Sequence, residues 1–230
     1  MQAEKTESKR TTFTGWVRAQ TKGLVEPLAD FFLRLGLHPN TMTLIGLGGN
    51  AVGALFLAFG HMTIGGVFIL LSGPFDGLDG AMARQLGQPT KFGAFVDSVT
   101  DRWSEMFILL GLLIHYLIRT GTYFWPCTPA LTASIALCRS LQSTGAYLLP
   151  CILVFMATMG SVMVSYTKAR AETLGFDCNV GALTRMERYL IMAPALVLNL
   201  PALALWIIAI LANVTALQRT FYVRQQARKS

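Results

Sequence analysis

"FDGLDGAMARQLGQPTKFGAFVDSVTDR", residues 75–102, sets Asp76, Asp79, Asp97 and Asp101 among residues as apolar as a membrane span. These four are a third of the 12 acidic side chains in a chain that is 13% charged and 53% hydrophobic. Chance placement does not account for that. Asp76 and Asp79 stand three apart, Asp97 and Asp101 four apart, so on helices turning about 100° per residue each pair shares one face. The connection "QLGQPTK" is short enough to make the two helices antiparallel neighbours, and both pairs then converge on one point.

Four carboxylates turned toward lipid are expensive, and four gathered together repel one another unless positive charge sits among them. Oxygen-only ligation favours a hard cation, Mg²⁺ or Mn²⁺. Four carboxylates exceed what one Mg²⁺ usually takes, so two ions are expected. Gly77, Gly80, Ala81, Ala83, Gly93 and Ala94 keep the surroundings small, for close helix contact or for a ligand lying against backbone. Arg84, one turn after Gly80, aims cationic donors at the same zone. Carboxylates, metal, arginine and a glycine platform together suit a pyrophosphate.

Outward from this stretch, 230 residues with mean hydropathy +0.50 describe a polytopic membrane protein rather than a soluble domain. The net charge of +7 is spread in short clusters between apolar blocks, which fits anionic headgroups and phosphorylated substrates and not nucleic acid. Cys127, Cys138, Cys151 and Cys178 show no CxxC spacing, and His38, His61 and His115 are isolated, so zinc and redox motifs are unsupported.

The fold expected is all-α. A disordered cytoplasmic tail (1–15) leads into an amphipathic juxtamembrane helix (16–37), whose Arg18, Lys22 and Arg34 would face lipid phosphates. A six-helix domain (38–223) follows, with spans at 41–59, 62–84, 94–118, 147–172, 188–200 and 201–223, and then a short cytoplasmic tail (224–230). The fifth span is short and leans on its neighbours, and 119–150 reads as an irregular or interfacial connection on the outer side. With the amino terminus inside, all of the 19 lysines and arginines except Arg119 and Arg139 fall on the cytoplasmic side. The aspartates fall there too, near the inner ends of spans two and three. "GLGGNAVGA", 46–54, reads as a close-packing surface inside a span, extending to a homodimer interface.

The pattern Asp76-x2-Asp79-Gly80-x2-Ala83-Arg84-x8-Gly93-x3-Asp97-x3-Asp101 resembles the complete signature of the CDP-alcohol phosphotransferases, integral membrane enzymes of phospholipid synthesis. The resemblance implies that Asp76, Asp79 and Asp97 hold the metals, with Asp101 contributing and accepting a proton. It further implies a CDP-lipid such as CDP-diacylglycerol against Gly80 and Arg84, with Thr90 reaching a phosphate. "HPNTMT" is similar to the family's P-[ND]-x-x-T element, which adds Asn40 and Thr43 as nucleotide contacts. It also favours a homodimer.

The acceptor is read elsewhere. "SYTKARAE", 165–172, and "TRMER", 184–188, place Lys168, Arg170, Arg185 and Arg188 at the cytoplasmic mouth, a cluster suited to a phosphorylated alcohol. These two elements resemble the prokaryotic phosphatidylinositol-phosphate synthase branch, which implies inositol phosphate as acceptor and CMP as second product. Glycerol 3-phosphate or free inositol as acceptor and an archaeol donor are the alternatives of the same chemistry. A cation transporter is the alternative of another class, disfavoured by Arg84 and the basic cluster.

Overall fold

The computed structural model describes residues 13–87, 90–118 and 148–228; for 13–22, Leu24 and Asp76 it describes the backbone alone. Among these residues the chain is all helix: α1 (Phe13–Arg34), α2 (Pro39–Ala58), α3 (Met62–Gln85), α4 (Lys91–Ile118), α5 (Leu148–Thr173), α6 (Arg185–Val197) and α7 (Pro201–Ala227). The amino-terminal tail up to residue 12 and most of the 119–150 connection lie outside the described residues, as do the side chains of Arg18 and Lys22.

Local chemistry sets the helix ends. Pro39 and Pro201 open α2 and α7, where a missing N–H costs nothing. α2 closes at Gly60, whose φ of 86° suits a residue without Cβ. There Gly60 N–H donates to Leu57 O and His61 N–H to Phe56 O, both at 2.9 Å. Thr90 caps α4 by accepting the Gly93 N–H at 2.9 Å. Before α6, the Thr184 hydroxyl donates to Glu187. That lock starts the helix at Arg185, three residues ahead of the boundary expected from hydropathy, and it brings Arg185 and Arg188 onto one helical face.

α2 packs on both α3 and α4, α5 pairs with α7, and α6 bridges α3 and α7. The α2–α3 crossing is glycine-enabled: a Cβ on Gly65 would lie 2.8 Å from Gly53 O, and one on Gly53 3.0 Å from Gly65 O. Within "GLGGNAVGA", Gly53 and Gly49 are thus used inside the protomer, while a Cβ on Gly48 would meet nothing within 4 Å. Leu57, Ile69, Leu112, Ala157, Leu196 and Leu205 belong to the main core. A smaller core of Ala29, Met42, Leu78, Ala81 and Met82 seats α1 against α2 and α3, while Leu28 and Phe31 on α1 stay exposed.

α2, α5 and α7 are each long and apolar enough to cross a membrane. α3 and α4 have the length, at 24 and 28 residues, but carry the aspartates and their basic neighbours. α6, with 13 residues, rises about 20 Å against a hydrocarbon core of about 30 Å. Leu55, Leu71, Leu110, Phe155 and Ile210 project outward as apolar surface for lipid. The chain is an integral membrane protein.

Candidate active site

Asp79 sits on α3, 6% exposed, between two donors. The Thr43 hydroxyl donates to its Oδ2 at 2.5 Å and the Gly80 N–H to its Oδ1 at 2.5 Å. Thr43, expected at the nucleotide, is itself buried and aims the carboxylate from α2. Asp97 is half-buried on α4, and Asp101, one turn on, is 8% exposed. The backbone of Asp76 lies one turn before Asp79 on α3; its side chain lies outside the described residues. Among the described residues no three Asp, Glu, His or Cys side chains gather closely enough to hold an ion. The described carboxylates near this end of the site are Asp79, Asp97 and Asp101. Oxygen donors with nothing softer fit a hard divalent cation.

Around these carboxylates the helix surface is open. A Cβ on Gly77 would meet nothing within 4 Å, and one on Gly80 only the guanidinium tip of Arg84, at 3.3 Å. A Cβ on Gly93 would lie 3.1 Å from Thr90 Oγ1 and 3.9 Å from Asn40 Oδ1. Asn40 and Thr90 thus flank the first turn of α4, beside the glycine face of α3. The surface here offers small residues, hydrogen-bonding side chains and one arginine.

The second half of the site lies between α4 and α6. Arg185 forms an ion pair with Asp101. One turn further along both helices, Arg188 grips Glu105 with two bonds, Nε to Oε1 at 2.6 Å and Nη2 to Oε2 at 2.9 Å. Arg185 remains one-third exposed, whereas Arg188 is 2% exposed. A cleft runs past both pairs, lined by Asn50, Asp101, Ser104, Glu105, Arg185 and Arg188.

Of the four basic residues grouped from sequence, the structure brings Arg185 to the aspartates and turns Arg188 into the interior. Lys168 and Arg170 stand at the end of α5, where Lys168 pairs with Glu172 at 3.6 Å. The 174–184 loop supports this end of the molecule. Arg219 of α7, 4% exposed, donates from Nε to Val180 O at 2.9 Å and from Nη1 to Val164 O at 2.5 Å. Burial pushes the Cys178 thiol in that loop above its ordinary value, against the pull of Arg219. Arg219 and Tyr189 are residues that sequence reasoning missed, and Glu105, which reads from sequence as support or helix packing one turn beyond Asp101, was left out of the site. The four-residue step from Asp101 to Glu105 was the one available signal.

The family model described as CDP-alcohol phosphatidyltransferase matches residues 36–218. The chain is 32% identical over 209 residues to the phosphatidylinositol phosphate synthase of Mycobacteroides abscessus, covering 87% of this chain and 84% of that one. It is 28% identical over 211 residues to the archaetidylinositol phosphate synthase of Pyrococcus horikoshii, covering 91% and 96%. Crystal structures of the Mycobacterium tuberculosis phosphatidylinositol phosphate synthase share its fold with a TM-score of 0.67 at 28% identity. One has CDP-DAG bound and covers 86% of this chain and 92% of that one; another, in complex with manganese and citrate, covers 86% and 88%.

Proposed function

The chain belongs to the CDP-alcohol phosphatidyltransferase family, and on that footing we propose that it transfers the phosphatidyl group of CDP-diacylglycerol to inositol phosphate, releasing CMP. The observation that carries the acceptor assignment is the Arg185–Asp101 ion pair. It sets a cation suited to a phosphate directly against the carboxylate that takes the acceptor's proton. An acceptor whose phosphate engages Arg185 has its hydroxyl within reach of Asp101, which is positioning of the kind that lowers a phosphoryl-transfer barrier.

In the reaction the acceptor hydroxyl attacks the lipid-linked phosphorus while Asp101 receives its proton. The new P–O bond joins acceptor to lipid, the bond to the nucleotide's phosphate breaks, and CMP leaves. Asp76, Asp79, Asp97 and Asp101 would hold divalent metal, two ions of Mg²⁺ or Mn²⁺. The metal supplies charge stabilisation for the pyrophosphate and the leaving group. Thr43 holds Asp79 in place. Gly80 and Arg84 take the pyrophosphate side of the donor, with Asn40 and Thr90 toward its nucleotide and phosphates. Arg185 engages the acceptor phosphate, Arg188 supports it from behind through Glu105, and Lys168 and Arg170 draw the anionic acceptor to the mouth.

The proposed setting is a six-span domain over 38–223, with α1 lying along the interface and both termini, the short tails and the site on the cytoplasmic side. The basic residues at that end support this orientation. A homodimer is part of the same proposal. CMP release by protein purified in detergent, with CDP-diacylglycerol and Mg²⁺, tests the reading: inositol phosphate should support it, and free inositol and glycerol 3-phosphate should not. Release with glycerol 3-phosphate alone would keep the aspartate chemistry and discard the acceptor assignment.

A further inference from the structure

α3 contains a proline, Pro74, two residues before Asp76 and five before Asp79. In a helix the N–H of residue 74 would bond to the carbonyl of Leu70; proline has none, so that carbonyl loses its partner. Leu70 is among the residues whose apolar side chains face outward. A carbonyl left unsatisfied there, in hydrocarbon, costs several kcal/mol unless a neighbouring helix supplies a donor.

A neighbouring helix does. Tyr189 of α6 shares its one phenolic proton between two carbonyls of α3, donating to Ile69 O at 2.6 Å and to Leu70 O at 3.0 Å. The approach depends on the residue between: a Cβ on Gly73 would collide with the Tyr189 hydroxyl and ring carbons. Gly73, Pro74 and Tyr189 therefore form one device. Proline removes a backbone bond, glycine opens a seat, and a side chain 119 residues away in sequence fills it. The same α6 carries Arg185, on Asp101, one turn earlier. The turn of α3 beyond the proline and the acceptor-facing arginine are thus attached to one short helix.

We propose that Tyr189 is a positioning residue for the metal-holding carboxylates: by bonding the adjoining carbonyls of Ile69 and of Leu70, the one that Pro74 leaves without a donor, its hydroxyl fixes the course of the turn of α3 that carries Asp76 and Asp79. The proposal rests on the reading of those aspartates as metal ligands given above. A hydroxyl that acts this way matters only while Pro74 is there. Packing of the ring against Gly73 would matter with or without it.

The experiment is a double-mutant cycle on the full chain in detergent: wild type, Tyr189→Phe, Pro74→Ala and the double variant. Phenylalanine keeps the ring and removes the hydroxyl; alanine restores the backbone donor. Mn²⁺ alone is titrated, with free Mn²⁺ read by electron paramagnetic resonance, and the metal-free Tm of each protein is recorded. Tyr189→Phe should weaken Mn²⁺ binding about tenfold, the scale of a lost partner behind a metal ligand. In the Pro74→Ala background the same change should alter it less than about twofold. If Tyr189→Phe fails to fold, Pro74→Ala must restore its folding and its Mn²⁺ binding. Equal losses in both backgrounds, or no loss in either, overturn the proposal. A wild type that takes up no Mn²⁺ overturns it from below, by removing the metal reading, and is told apart because the failure then shows before any substitution is made.

Discussion

Two arginines one turn apart on α6 meet two acids one turn apart on α4, and the rungs so formed differ in nearly everything except chemistry. The outer rung, Arg185 with Asp101, opens on the cleft, its arginine one-third exposed. The inner rung, Arg188 with Glu105, is bidentate and its arginine is 2% exposed. The acids run the other way, Asp101 being 8% exposed and Glu105 24%, so the contrast lies in the cations: an arginine at the water's edge can trade partners, and a sealed one cannot do so without leaving a bare charge behind. In the function proposed above, the position of the arginine in the fold, and not residue type, divides substrate handling from scaffolding.

The sharpest way to break that division is at the outer acid. Asp101→Asn should lower turnover by roughly 10²–10⁴-fold, the range for a lost general base, with CDP-lipid binding and Tm near wild type. Loss of donor binding instead would make Asp101 a metal ligand alone.

Next in size comes the inner rung. Arg188→Ala should destabilise the protein by about 1–3 kcal/mol, because the buried guanidinium's bonds are lost while Glu105, 24% exposed, is left without its cation but partly open to water. Arg188→Met combined with Glu105→Leu should recover much of that loss, since no charge then remains to be stranded. A destabilisation below about 1 kcal/mol, as for a surface pair, would show the rung to be wetter than its burial.

Arg185→Ala should do the converse. The acceptor KM is expected to rise about tenfold or more, the scale of a charge-assisted hydrogen bond, with donor KM unchanged. An unchanged acceptor KM would move the acceptor phosphate elsewhere.

The smallest effect concerns the loop that backs the inner rung. The Cys178 thiol is raised by burial, so folding favours its protonated form. That contribution is complete below the unfolded thiol's pKa, about 8.5, and is lost as pH climbs from there toward the folded value. Urea midpoints measured from pH 7 to 10 should fall more steeply for wild type than for Cys178→Ala, and parallel curves would mean the loop is not dry.

What could be read from the chain beforehand follows from what charge looks like in an apolar sequence. Carboxylates at helical spacing inside a hydrophobic run are conspicuous, so α3, α4 and the aspartate pairs were legible, as were the glycines that let α2 approach its neighbours. The start of α6 was not, because hydropathy sees the apolar core of a helix and not the Thr184–Glu187 contact that begins it. Glu105 was left out of the site and Tyr189 missed for a different reason. Their partners lie 83 and 119 residues away, and no local pattern encodes a meeting that only the packing of α6 against α3 and α4 creates. Thr43 was found by spacing, but its bond to Asp79 was not, since spacing marks a position without saying that its hydroxyl turns inward to that carboxylate.

α6 is also shorter than the layer it sits beside. Thirteen residues span about 20 Å of a core about 30 Å thick, a hydrophobic mismatch the bilayer accommodates by thinning or by letting neighbouring protein cover the shortfall. In the six-span arrangement proposed above, the aqueous boundary then dips toward Arg185 at the helix's first turn. A water-soluble sugar phosphate and a lipid that never leaves its leaflet then come together at one depth, and catalysis becomes sensitive to the thickness of the surrounding membrane.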